Sequence, residues 1–545
     1  MIARARLALL ASLVFSVTAT IFAAADSRAA NASTPPGFSN VQHIIIAMQE
    51  NHSFDNYLGV LGLVPGGPYH AGAGACSASD HACVNGLSCT RNAAGAYTCK
   101  NSNPDNPCTR YVDPSTQLVT YYCLSGSHQT ATVFHTNNYC PAPDLDHGWE
   151  ASHHEGNLQN PNGMLKSSPN NGFVTVNDAT EQIDSGPESA TEDPTIGFYN
   201  ETDLPYYYGL AETFAIDDNY HAAVVGMTFP NRSYLMAATS FGHLDTSEEI
   251  PPASSGTKLY QPITGTIFDL LDKQGITWTD YYTDLPQAGS FRVPSPPHFA
   301  PIAQFFADVQ TGNLPQVVLL DPELLGVTNT ATDEHPPHDI RYGQFYMSQI
   351  VSALRNSNNW ASSILFITYD EHGGAYDHAA PPPAAQGGKL NPDGINPGQC
   401  EDLSNLPASK SPGGGANCSS SQTDAANLCP GFSPTGSYPA TCANFNQLGF
   451  RVPFIAVSPF SKAHYVSHTL GTHTSLLKLI ESRFLAGNHL TLRDQYSDPL
   501  FDLFDFVNAP SKNVDLASLP AAPVPNAVTD GNGSCATVTP SVPSP

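Results

Sequence analysis

The stretch His43 to Gly59, HIIIAMQENHSFDNYLG, constrains this chain more than any other. Its apolar run, His43 to Met48, has the length and β-branched content of a buried strand. The run stops at Gln49-Glu50-Asn51, where a carboxylate and an amide stand side by side. In an open α/β sheet, ligands collect just past the carboxyl ends of strands. Glu50 and Asn51 are therefore placed to meet a metal ion or a substrate, and hard oxygen donors of this kind suit a divalent cation. A plainer reading also fits, because Ser53 and Asp55 are both suited to cap a following helical turn.

The same pattern recurs further on. Ser363 to Tyr369, SILFITY, is a second apolar run, and it ends in Asp370-Glu371-His372-Gly373-Gly374. Pro315 to Leu320 is a third, ending at Asp321, and Ile276 to Tyr282 and Phe450 to Ser458 read as further strands. Helices are expected over 204–214, from Thr228 through SYLMAAT, and over 262–274, 340–355 and 473–484, with 215–226 as a turn. Strands alternating with helices predict one α/β domain with a mostly parallel sheet, over 38–510. Two stretches rich in Gly, Pro and Cys, about 60–145 and 380–447, read as insertions, and 511–545 as a Pro/Ala-rich tail.

The first 30 residues look like a secretory signal. Arg4 and Arg6 precede the apolar run Leu7 to Phe22, and Ala23-Ala24-Ala25 offers small residues for cleavage. An uncleaved anchor is the competing reading, and no later stretch is apolar enough to span a bilayer. A secreted or periplasmic protein is the expectation. Twelve cysteines fit that compartment, and with no C-x2-C pair among them, disulfides are favoured over zinc sites. The formal net charge of −27 argues against a nucleic-acid partner. A zwitterionic or small anionic substrate remains compatible, because a bound metal can reverse the local sign. The sequence leaves the oligomeric state open.

If the strands ending in Glu50-Asn51 and Asp370-Glu371 are neighbours, both pairs converge on one cation. Each pair alone is equally well explained as a helix cap. Thr228, in TFPNRSYL, reads as a helix N-cap with Pro230 in the first turn. A hydroxyl there faces free backbone N–H groups, which favour an anion such as phosphate, and a nearby divalent ion would activate it as a nucleophile. An ordinary cap is the alternative. The chain has 20 histidines. His147 lies in DLDHGW, His335 and His338 in DEHPPHD, and His372 and His378 in DEHGGAYDH, and each is able to contact a phosphoryl oxygen or protonate a leaving group.

The segments HIIIAMQENHSFDNYLG, TFPNRSYL, DEHPPHDIRYGQ, TYDEHGGAYDH, GFRVPFIAVSPF and HTSLLKLIE occur in that order between residues 41 and 484. In this the chain resembles the bacterial phosphoesterase family that joins phosphatidylcholine-type phospholipases C with a class of secreted acid phosphatases. The resemblance implies an alkaline-phosphatase-like α/β/α sandwich carrying the two Cys-rich insertions. It implies one divalent metal ion, with zinc and calcium both compatible, held by Glu50, Asn51, Thr228, Asp370 and Glu371. Thr228 would be the nucleophile, with His147, His335 and His378 as candidates for contact with phosphate. The chain departs from the family in the Cys-rich insertion over 76–140 and in Thr472, where an acidic residue is expected before HTS.

The leading reading is a phospholipase C-like hydrolase of phosphodiesters such as phosphatidylcholine. An acid phosphatase for soluble monoesters shares the same core. A sulfatase is disfavoured, because Thr228 cannot supply the formylglycine that Cys or Ser would give. A non-catalytic binding protein predicts the loss of a ligand or of the nucleophile, and all five positions are present.

Overall fold

In the computed structural model, the described residues are 33–524 without 73–75, 106–107, 113–118, 124–128, 142–143, 159, 162–167, 178–193, 241–245, 247–261, 263, 292, 295–297, 325–330 and 385–444. The expected N-terminal signal, most of the second insertion and the end of the tail lie outside them.

Eight strands form the central sheet: β1 (His43–Gln49), β2 (Ala215–Asp217), β3 (Trp278–Tyr282), β4 (Phe299–Pro301), β5 (Val317–Asp321), β6 (Ser363–Tyr369), β7 (Phe454–Val457) and β8 (Tyr465–Ser467). Their order is β4-β3-β5-β1-β6-β7-β2-β8. All neighbours run parallel except β7, which is antiparallel to both β6 and β2. The strands predicted from apolar runs are thus the middle of the sheet. Every residue of β6 is buried, and so is every residue of β1 after His43. Burial of both alternating sets means that both sheet faces are covered, as parallel sheets require.

Helices supply the cover: α1 (Phe54–Leu58), α2 (Trp149–Gly156), α3 (Pro205–Thr213), α4 (Thr228–Ala237), α5 (Ile267–Lys273), α6 (Ile302–Thr311), α7 (Ile340–Arg355), α8 (His473–Phe484) and α9 (Leu492–Tyr496). The helices α3 and α6 each pack against α7, whereas α4 packs against α5 and α8. The reason α7 forms is plain in its sequence. Asp339 caps its start by accepting from Arg341 N, and Ile340, Met347, Ile350, Val351 and Leu354 recur at helical spacing on its buried face.

Three boundaries differ from expectation. Residues 215–226 are not simply a turn, since Ala215–Asp217 is a sheet strand and Tyr220–His221 a two-residue strand. These pieces are too short to show a period, and only their tertiary partners fix them. The helix expected from 262 begins at Ile267, after Thr266 caps it in a capping box with Asp269. At the start of α4, Met227 holds the cap position and Thr228 is the first helical residue, so the Thr228 side chain is not spent on capping.

The first insertion is less irregular than its composition suggested. It contains short two-stranded ribbons, among them Cys89–Arg91 with Tyr97–Cys99 and Ser102–Asp105 with Gln129–Thr132. Disulfides Cys76–Cys83 and Cys89–Cys99 staple it.

Candidate active site

Gln49 and Tyr369 are register partners at the ends of β1 and β6. The next residues, Glu50-Asn51 and Asp370-Glu371, therefore leave the sheet side by side. Asn51 N donates to Asp370 Oδ1 at 3.3 Å, which ties the two exits together. Asn51 adopts a left-handed φ of 62°, a conformation that Asn tolerates better than most residues and that is often found at functional sites. Gly373 closes over it. A Cβ at Gly373 would lie 2.3 Å from Asn51 O, so this approach needs glycine.

Arg232 lies behind this group, on α4. Its Nε donates to Asp370 Oδ2 at 2.9 Å, and a terminal nitrogen reaches Glu50 Oε1 at 3.1 Å. The other terminal nitrogen donates to Gln287 Oε1 at 2.6 Å. Thr228 precedes Arg232 by four residues, so both stand on one face of α4. The Thr228 side chain is half-buried at the N-terminal end of that face.

His147 enters from the loop before α2. Its Nε2 lies 3.4 Å from Glu371 Oε1 and 3.5 Å from Asn51 Nδ2, and its Nδ1 donates to Leu145 O. Burial alone would lower its pKa, but Glu371 and Asp144 outweigh burial and raise it to about 10. His335 reaches the same place from the loop after β5. Its ring centroid is 6.5 Å from that of His147, and Asp144 lies 3.9 Å from each ring. His372 bridges two buried carboxylates, Glu155 at 2.8 Å and Glu371 at 3.4 Å. Burial opposes its charge, yet Glu155 and Glu371 hold it up at about 9. A narrow cleft lined by Asn51, His52, Leu145, Tyr199, Pro336 and Gly373 opens beside these groups.

The donor set fits a divalent cation. Asn51 Oδ1 is buried and accepts no hydrogen bond, and Glu371 Oε1 has beside it only the 3.4 Å ion pair with His147. Such orphaned oxygens are costly unless something else satisfies them. Burial, with Asp370 adding to it, pushes Glu50 up to about 8. Arg232 opposes that rise in Glu50, and His147 and His372 hold the Glu371 carboxyl below its usual range.

His378 stands elsewhere. Its Nδ1 lies 2.6 Å from Asp55 Oδ2, and its other partners are Asn85 and Arg451. The ligand atoms of Asp55, Asp377 and His378 lie within 4.8 Å of one another. Arg451 already donates to both carboxylates there, at 3.0 Å each. Two other such groups include Cys76 or Cys83, whose sulfurs are joined to each other and are not thiolates.

The structure therefore brings together Glu50, Asn51, His147, His335, Asp370 and Glu371, and sets His378 in a separate ionic cluster. Sequence reasoning gave no role to Arg232, Glu155 or Glu334. For Arg232, a signal existed in its spacing of four from Thr228.

The family model of the phosphoesterases matches residues 41–486, which include every residue of this constellation. The chain belongs to the phosphoesterase family. This phosphoesterase is 27% identical over 540 residues to phospholipase C B of Mycobacterium tuberculosis, covering 91% of this chain and 85% of that protein. It is 30% identical over 430 residues to non-specific phospholipase C6 of Arabidopsis thaliana, covering 76% and 71%. A second mycobacterial relative, phospholipase C A, is 27% identical over 545 residues, again covering 91% and 85%. The chain is thus a hydrolase acting on phosphoric ester bonds. Among the described residues, no helix is long and apolar enough to cross a membrane.

Proposed function

We propose that this phosphoesterase is a secreted, divalent-metal-dependent enzyme of phospholipase C type that cleaves phosphodiesters such as phosphatidylcholine. The observation that carries this reading is the register of Gln49 with Tyr369, after which four oxygen-bearing side chains leave the sheet from adjacent strand ends. Glu50, Asn51, Asp370 and Glu371 would hold the ion, with Thr228 facing it. When bound, such an ion supplies Lewis acidity and lowers the pKa of a neighbouring hydroxyl.

The chain's own residues supply the remaining steps. The Thr228 hydroxyl releases its proton to solvent as its oxygen attacks phosphorus, the bond to the leaving alkoxide breaks as a phosphothreonine forms, and the Thr228 oxygen takes up a proton from solvent when water later cleaves that ester. His147, oriented by donation from its Nδ1 to Leu145 O, presents its Nε2 to a phosphoryl oxygen. His335 gives its proton to the leaving alkoxide and then accepts one from the water that hydrolyses the phosphothreonine. His378 has a supporting place, bound to Asp55 and Arg451. The apolar N-terminal run and the stapled first insertion support export.

The deciding experiment sets a chromogenic phosphomonoester beside a phosphocholine diester, each with and without chelator. Diester hydrolysis that the chelator abolishes supports the proposal. Preference for the monoester moves the same site to an acid phosphatase. No turnover of either ester by metal-loaded protein leaves a binding protein. Elemental analysis of the purified protein distinguishes zinc from calcium.

A further inference from the structure

Glu334 is fully buried and is held in a left-handed backbone conformation, with φ 71°. That combination is expensive twice over. A carboxylate in the interior loses its hydration, and an L-residue at positive φ is strained. Four donors meet it. Tyr207 OH and Gln49 Nε2 donate to Oε1 at 2.5 and 3.2 Å, and Tyr57 OH and Tyr369 OH donate to Oε2 at 2.8 and 2.6 Å. Two donors on each oxygen fill the acceptor capacity of an ionised carboxylate.

The donors come from the parts that build the site. Gln49 and Tyr369 are the last residues of β1 and β6 and are register partners. Each is followed directly by a proposed metal ligand, Glu50 and Asp370. Tyr57 and Tyr207 bring in α1 and α3. The backbone around Glu334 is used as well. Its carbonyl lies 3.0 Å from His52 Nε2, and the carbonyl of Asp333 accepts from Glu50 N at 2.9 Å. His335, the next residue, stands beside His147 and Asp144. The facing helix leaves room for this arrangement. Gly343, in the interior of α7, would place a Cβ 2.2 Å from Glu334 Cγ, which accounts for a glycine where helices disfavour one.

We propose that Glu334 is the positioning residue of this active site: it clamps the exits of β1 and β6 through Gln49 and Tyr369 and, from the same backbone, holds His335 over them. The proposal rests on the metal-dependent reading above. It assigns Glu334 no contact with substrate. Supporting hydrogen bonds around a metal centre typically change affinity or activity by about 10- to 100-fold when removed, and Glu334 supports both strand exits at once.

The test uses the full chain with Glu334→Gln and Tyr369→Phe, both close to isosteric. Zinc and calcium are titrated into chelator-treated protein by calorimetry, and kcat and KM are measured on a chromogenic ester well below the melting temperature. The expected result is metal affinity and kcat each lowered by about 10-fold or more for Glu334→Gln. Tyr369→Phe should follow in the same direction and by less, and KM should stay within about threefold in both. A purely structural role would lower the melting temperature alone, leaving metal affinity and kcat per folded molecule at wild-type values, and that result overturns the proposal. Should Glu334→Gln fail to fold, Tyr369→Phe decides in the same terms. Wild-type protein that neither binds a divalent ion nor hydrolyses an ester overturns the metal-dependent reading and this proposal together. An active, metal-binding wild type with unaffected variants overturns only the role of Glu334.

Discussion

Arg232 Nε donates to Asp370 Oδ2 at 2.9 Å from one turn inside the helix that Thr228 opens. The same guanidinium reaches Glu50 and the carbonyls of Met48 and Gln49, so it fixes α4 against the ends of β1 and β6. An ammonium is a point charge and cannot span these partners. Arg232→Lys should therefore lower kcat by about 10- to 100-fold even when the protein is metal-loaded. It should also lower the melting temperature, because buried carboxylates lose part of their compensation. Steady-state kinetics and calorimetry on the same preparation check both.

Thr228→Ala should abolish turnover without changing the fold. The side chain does not cap α4, where Met227 holds that position. Alanine is also a better helix former than threonine, so the melting temperature should stay within a few degrees. Turnover near the wild-type rate would remove Thr228 as the nucleophile.

Asp370→Asn should release metal. The change keeps the shape of a fully buried side chain but removes a charge from the donor set and weakens its pairing with Arg232. Metal content per chain, read by elemental analysis after dialysis, should fall well below that of the wild type. Unchanged content would exclude Asp370 as a ligand.

The parts of this fold legible in sequence were those where one physical signal dominated. β1, β6, α7 and α8 were visible as apolar runs or periodic faces, and their observed ends agree with the expected ones within a residue. The adjacency of Glu50 and Asp370 was legible only as a condition, because sequence shows where strands end but not which strands are neighbours. Short strands such as Ala215–Asp217 carried no period. Glu334 and Arg232 were hidden for another reason. A charged residue normally reads as exposed, and only the tyrosines and carboxylates gathered around these two make burial tolerable. The left-handed φ of Asn51 and Glu334 left no trace in residue type that a loop would not also show.

Reduction of the folded protein should destabilise it. Cys76–Cys83 and Cys89–Cys99 close loops of 7 and 10 residues in a segment built of short ribbons. Loops of that size are expected to contribute about 2 to 3 kcal/mol each by restricting the unfolded chain. Thermal unfolding with and without reductant should show a lower melting temperature in reductant. An unchanged one would mean that neither bridge matters to stability.

His153 should make the protein acid-sensitive over a defined window. Its ring packs against Trp149, with centroids 4.7 Å apart, and its Nδ1 donates to Trp149 O at 2.6 Å. Burial lowers its pKa from 6.5 to about 4, against a smaller opposing effect of that hydrogen bond. Between those two values the unfolded chain binds a proton that the folded chain refuses. Stability from this residue is therefore complete above pH 6.5 and is lost as the pH falls toward 4, by on the order of 3 kcal/mol. His153→Phe keeps an aromatic ring against Trp149 and removes the titration. Melting temperatures measured from pH 7 down to pH 4 should fall less steeply for this variant than for the wild type. Parallel curves would mean that the imidazole takes up its proton inside the folded protein as readily as outside it.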